Sequence, residues 1–160
     1  YPNNLWQRAV GVYDYTALGA SADFLSIMSY DDPTSKGPVA QYPWIVKVLE
    51  YASTVVPVSK LSLGIPFYYW QWNDDTGKRV GIGGKDGIYT ALSKYRAVMH
   101  YSTEQQAPYL TFKKKGVHYT MWYENSRSIK QKIALIKKYK LHGFSAWALG
   151  LEVSGVYSGI

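Results

Sequence analysis

The 160-residue sequence predicts an α/β fold with a smaller α+β element set into it. Three observations carry this reading. An apolar run, a helical stripe and a second apolar run succeed one another over residues 24–70. Both apolar runs end in aromatic or charged side chains. The middle third then changes texture, to short β-prone runs divided by turn signals.

Taken in order, "FLSIMSY" (24–30) is a short β-prone run that gives way to Asp31, Asp32 and a loop with Pro, Ser and Gly. "YPWIVKVLEYASTVV" (42–56) sets Trp44, Val48 and Tyr51 beside Ile45, Leu49 and Ala52 on a helical stripe. Pro43 suits a first turn and Pro57 stops the helix. "KLSLGIPFYYW" (60–70) is a second strand in which Gly64 and Pro66 are unusual, and Pro66 marks the end of the regular ladder. Strand, helix, strand at this spacing is a βαβ unit with neighbouring parallel strands and a right-handed crossover. In an α/β barrel, the carboxyl ends of such strands form the active-site face.

"NDDTGKRVGIGGKDG" (73–87) reads as a loop rich in Gly and charge, and "GIYTALSKYRAV" (87–98) as an amphipathic helix. "VMHY" (98–101), "PYLTF" (108–112) and "VHYTMWY" (117–123) are short strands, the last two a hairpin around Lys113 to Gly116. "SIKQKIALIKKYKLHG" (128–143) places Ile129, Ile133, Ile136 and Tyr139 on one stripe and Lys on the other face. Ser126 or Ser128 is the expected cap and Gly143 the terminator. "FSAWALG" (144–150) is a final buried strand, followed by Glu152.

Composition narrows the chemistry. There is no Cys, which removes both a disulfide framework and a thiolate metal site. His100, His118 and His142 are scattered, with no i, i+4 pair, so no metal is expected. "GIGGKDG" lacks the G-K-[ST] of a phosphate loop, and no Ser lies on a G-x-S-x-G elbow. No run approaches the roughly 18 apolar residues of a membrane span, and "YPNNLWQRAV" shows no charged-then-apolar leader. The net charge of +7 fits either solubility or an anionic partner. Nucleic acid is disfavoured, because the aromatics are not interleaved with Arg in a recognisable module. The unusual feature is 16 Tyr and 6 Trp against 4 Phe. Flat apolar faces with polar tips suit sugars, and they equally suit a Tyr-rich core.

The stretches "DFLSIMSYDD", "KLSLGIPFYYWQW" and "MWYENSRSIKQKIALIKKYKLHGFSAWALGLE" resemble the sixth, seventh and eighth strand regions of glycoside hydrolase family 18, the chitinase-like barrels. The similarity is greatest to the spore-cortex and cell-wall branch, and it runs from about Tyr13 to Glu152. It implies the C-terminal part of a TIM (β/α)8 barrel, strands 6 to 8, with a small α+β insertion. The expected ranges are 1–76 for a barrel segment with two strands, 77–125 for the insertion and 126–160 for the last helix and strand. Residues 1–12 would be the tail of the loop after the fifth strand, and an open partial sheet would expose an apolar edge.

The resemblance also implies roles. The family's M-x-Y-D falls on Met28, Tyr30 and Asp31, with the Tyr hydroxyl on the sugar's acetamido group and the Asp on the sugar or the neighbouring catalytic residue. Trp147 would floor the cleavage point, Tyr68 matches the Tyr of G-I-P-x-Y, and Trp72 matches an aromatic that follows it. Other readings stay open: Asp31 as a loop cap, Trp147 as core packing, Glu152 as a solvated carboxylate, and Trp122 and Tyr123 as packing or as a far cleft wall. Tyr69 stands where Gly is usual, and Asn125 where an acid is usual.

The catalytic D-x-x-D-x-D-x-E of the family cannot be found among the 11 carboxylates. In the family its Glu protonates the glycosidic oxygen while the substrate's acetamido oxygen attacks the anomeric carbon, outside the usual two-carboxylate scheme. Two functions are therefore expected. One is part of a retaining, substrate-assisted glycosidase cleaving β-1,4 bonds in N-acetylglucosamine-containing polysaccharide, chitin or peptidoglycan, with no cofactor and with the other half of the barrel upstream or in another chain. The other is a catalytically inactive, lectin-like glycan-binding protein. Either implies an extracellular, cell-wall or spore setting, and hydrolysis by these residues alone is not expected.

Overall fold

The computed structural model of the protein describes residues 13–160. The readings made for residues 1–12 lie outside the described residues. Helix α1 (Tyr15–Ser21) is capped by Asp14, whose carboxylate accepts from the Ala17 N–H at 3.0 Å. Its C-terminal end is held by Lys60 Nζ, which donates to the carbonyls of Gly19 and Ala22. Strand β1 (Leu25–Ile27) leads through the loop 28–41 to helix α2 (Tyr42–Val55), and a short 3₁₀ turn (Val58–Lys60) feeds strand β2 (Leu61–Pro66). The parallel pairing of β1 with β2 bears out the βαβ reading.

Strand β2 is buried along its whole length because it lies in the middle of a three-stranded parallel sheet, in the order β1-β2-β8. Leu63 and Ile65 face α2 and the later helix α4, in a core that includes Ile45, Leu49, Ile129 and Leu135. Each such side chain contributes about 1.5–3 kcal/mol of transfer free energy. Ser62 and Gly64 alternate onto the opposite face, where the Ser62 hydroxyl meets that of Ser145 at 3.0 Å. Pro66 ends the ladder as expected, since it has no N–H to continue it.

The chain then enters a second, antiparallel sheet. Its strands are β3 (Tyr69–Asn73), β4 (Lys78–Gly83), β5 (Val98–Ser102), β6 (Ala107–Lys114) and β7 (Val117–Trp122), ordered β4-β3-β7-β6-β5. Helix α3 (Lys85–Lys94) covers one face, packing Ile88 and Ala91 on Leu110, Phe112 and Met121. The reading of residues 73–87 as a loop is corrected here, because Lys78–Gly83 forms an edge strand paired with β3. Apart from Gly81 and Gly83 the strand is exposed on both faces, so it carries no alternation to read, and charge with Gly is how an edge strand avoids further pairing. The sheet begins at Tyr69, inside the range 1–76 that the sequence reading gave to the barrel segment, since the chain changes sheets directly after Tyr68.

Helix α4 (Ser126–Tyr139) returns the chain to the parallel sheet at β8 (Gly143–Trp147). Its cap is neither Ser126 nor Ser128 but Asn125, whose side chain accepts from the Ser128 N–H at 3.1 Å while the Ser128 hydroxyl accepts from the Asn125 N–H at 2.9 Å. Replacing Asn125 with Ala removes one of these bonds and should cost about 1 kcal/mol of stability, measured as a lower midpoint in denaturant unfolding of the intact protein. The helix ends before Gly143, with Lys140 taking the left-handed conformation at φ 56°. Nor is its polar face uniformly Lys: Lys132 lies three residues after Ile129 on the inner stripe and is fully buried.

The segment after β8 folds back over α3. The Lys85 N–H donates to the Leu151 carbonyl at 2.8 Å, the Ser154 N–H donates to the Tyr89 hydroxyl at 2.7 Å, and that hydroxyl donates to Ser154 Oγ at 2.9 Å. A Cβ on Gly84 would lie 2.9 Å from Leu151 Cα, so the absence of a side chain permits this approach. No helix among the described residues is long and apolar enough to cross a membrane.

Candidate functional site

All three parallel strands run in one direction, so their carboxyl ends lie together. After β1 the chain leaves regular structure through Ser29, whose hydroxyl donates to the Gly64 carbonyl, and Tyr30, which is 9% exposed. Asp31 then adopts φ 62°, a left-handed conformation uncommon for a residue with a side chain but more accessible to Asp than to most. Its N–H donates to the Val39 carbonyl at 2.8 Å, which folds the loop 31–41 back over the strand end.

Asp31 accepts from the Tyr68 hydroxyl at 2.7 Å, joining the ends of β1 and β2. Burial, then the hydrogen bond and charge of Asp31, push the Tyr68 hydroxyl well above the ordinary phenol value, so it stays a donor. Burial followed by the Asp31 charge likewise raises Tyr30. The rings of Tyr30 and Tyr68 meet edge to face at 6.3 Å. Capping of the loop falls to Asp32 instead, which accepts from the Thr34 N–H and hydroxyl and from Gln41 Nε2.

The remaining residues singled out from the sequence divide into two groups. Trp147 ends β8 and is 62% exposed, so it presents its indole at this end of the sheet rather than packing in a core. Met28, 63% exposed, also faces outward. Trp72 stands farther along, on β3, with its indole N–H donating to the Gly37 carbonyl at 2.9 Å. It pins the loop 31–41 against the antiparallel sheet. Between them lies a groove of about 620 Å³ bounded by Asp31, Lys36, Trp70, Trp72 and Arg79.

Trp72 also borders a second groove, of about 520 Å³, with Tyr109 and Trp122 on the open face of the sheet. There Trp122 packs on Tyr109 at 4.5 Å, while Tyr123 turns into the core beneath α3. Glu152 is not merely solvated: it accepts from the Gly150 N–H at 2.6 Å and from the Tyr157 hydroxyl at 3.3 Å, and backbone hydrogen bonding holds its carboxyl below the usual range.

Sequence reasoning passed over Trp70, Arg79 and Lys36. Trp70 is 2% exposed, with the Arg79 guanidinium 4.2 Å above its ring. Gly64 was flagged only as odd for a strand, and the signal was sound: a Cβ there would lie 2.3 Å from the Ile27 carbonyl oxygen and 2.9 Å from Tyr30 Cε1. Its bare Cα makes room for the Tyr30 ring.

Residues 2–152 match the glycosyl hydrolases family 18. The sequence is 32% identical over 156 residues to the cortical fragment-lytic enzyme of Bacillus subtilis, covering 92% of this chain and 35% of that protein. Among solved structures it superposes on a chitinase from Chromobacterium violaceum with a TM-score of 0.79 at 34% identity, over 92% of this chain and 47% of that one. The spore cortex-lytic enzyme SleL of Bacillus megaterium gives 0.77 at 29% identity, over 91% and 35%. The chain spans about a third to a half of the length of these relatives.

Proposed function

The chain belongs to the glycosyl hydrolases family 18, and from that premise we propose that it supplies the sugar-binding side of a glycosidase acting on β-1,4 bonds in N-acetylglucosamine-containing glycans, chitin or peptidoglycan. The observation that carries this reading is the meeting of Tyr30, Asp31, Tyr68 and Trp147 at one end of one parallel sheet, with the Tyr68–Asp31 bond already made.

The roles follow from the groups. The Trp147 indole offers an apolar platform for a sugar ring, and the Tyr30 hydroxyl is the donor for its acetamido oxygen. Asp31, oriented by Tyr68, accepts from the acetamido N–H and so turns that oxygen toward the anomeric carbon. Trp72 extends the apolar wall along the polymer. Protonation of the glycosidic oxygen requires a carboxylic acid that the present 11 do not provide in the family's spacing. We assign it to residues outside these 160, with β1, β2 and β8 as strands 6 to 8 of a TIM barrel. Support comes from the strand order and from the share of the relatives that the chain spans. The cortex-lytic relatives favour a cell-wall or spore setting.

The missing acid also favours a second reading, glycan binding without cleavage. Assay of the intact protein on N-acetylglucosamine oligomers separates the two, since tight binding with no reducing ends released is the lectin-like outcome. In a hydrolytic protein, Tyr30→Phe should lower kcat by about 10- to 1000-fold, the range for loss of one donor to a reacting group. Unchanged turnover would remove Tyr30 from the site.

A further inference from the structure

We propose that the groove between the loop 31–41 and the β3–β4 hairpin reads a carboxylate, so that this site takes a glycan carrying an acidic amino sugar rather than the neutral homopolymer. The inference rests on the glycan-binding reading above and concerns which glycan fits.

The donors and acceptors of the groove are out of balance. Its two carboxylates are already engaged: Asp31 accepts from Tyr68, and Asp32 accepts from Thr34 and Gln41. Its cations are not. Lys36 and Arg79 both line the groove and are exposed, and among the described residues neither forms an ion pair nor donates a side-chain hydrogen bond. The buried indole N–H of Trp70, which also lines the groove, has no acceptor. An orphaned buried donor is expensive unless something arrives to accept from it.

Arg79 is held in a particular pose. Its guanidinium carbon sits 4.2 Å over the Trp70 ring, so stacking limits its freedom and leaves the N–H edge to face a ligand. A planar fork of donors matches a carboxylate in a two-point contact, which a neutral hydroxyl cannot reproduce. Trp72 beside it provides the apolar surface for the sugar ring that bears the acid. A glycan in which N-acetylglucosamine alternates with a lactyl-substituted amino sugar, as in peptidoglycan, presents a neutral acetamido sugar to Tyr30 and Trp147 and a carboxylate to the neighbouring groove. Chitin presents no charge there.

The test measures binding of the intact protein to three oligomers of equal length: all N-acetylglucosamine, the alternating acidic form, and the alternating form with its carboxylates converted to amides. The acidic oligomer should bind about 10-fold more tightly than its amide, as expected for one charge-assisted contact. That ratio should shrink in high salt and approach one in Arg79→Gln, with Arg79→Lys between. Equal affinity for acid and amide in the unmodified protein overturns the inference while the neutral oligomer still binds. Binding of none of the three overturns the glycan reading itself.

Discussion

Replacing Lys132 with Ala should lower the unfolding free energy of the intact protein by about 3–5 kcal/mol. Lys132 Nζ lies 2.9 Å from each carboxylate oxygen of Glu124, with the Lys fully buried and the Glu side chain 3% exposed. Removing the ammonium leaves an acid with nothing to offset its desolvation. Burial already pushes the Glu124 carboxyl up against the pull of Lys132, so the variant has every reason to take up a proton. The sign of the pH dependence follows. An acid whose folded pKa is raised contributes most below its unfolded value and loses that contribution as pH rises through the folded one. The deficit should therefore be smaller near pH 4 than at pH 7. Lys132→Met with Glu124→Leu removes both charges and should recover most of the loss. Calorimetric melting at the two pH values checks all three statements, and equal deficits at both would contradict the desolvation argument.

Gly64→Ala should be about as damaging, at about 3 kcal/mol or more, the upper range for overpacking a filled site. The added methyl meets the Ile27 carbonyl at 2.3 Å, and a backbone atom in a paired strand cannot swing aside as a side-chain end can. The clash must be relieved by parting β1 from β2 or by expelling the Tyr30 ring. Either movement disturbs the Tyr68–Asp31 bond that spans the two strands. The variant should lose affinity for N-acetylglucosamine oligomers even at temperatures where it remains folded. A variant that unfolds earlier yet binds normally would separate packing from the site.

Much of this was legible in the residue pattern, for identifiable reasons. The strand, helix, strand run of 24–70 carries its own periodicity and punctuation, and the 107–122 hairpin alternates cleanly around a Gly turn. What could not be read depends on partners distant in sequence. β4 has no apolar face of its own and exists because β3 offers its edge. Lys132 looks like any other solvated lysine until Glu124 is placed eight residues earlier on the inner side. The site divides in the same way. Tyr30, Asp31, Tyr68 and Trp147 could each be matched by motif, but the bond between Asp31 and Tyr68, 37 residues apart, is a product of β1 and β2 lying side by side. Arg79 was hidden because its meaning comes from the Trp70 ring beneath it.

The fold-back of residues 151–154 onto α3 has a mechanical consequence. The antiparallel sheet leaves and rejoins the parallel one through β3 and β7, which are themselves neighbours and would together act as a single strap. A strap can swing. Attachment of Leu151 and Ser154 to Lys85 and Tyr89 adds a bearing point on the opposite side, and the Trp72 bond to Gly37 adds another at the groove. A body held at three separated points keeps its orientation. The distance across the groove is then a built-in gauge, and a polymer is sorted by whether it passes that gauge on arrival rather than by how far the walls close around it.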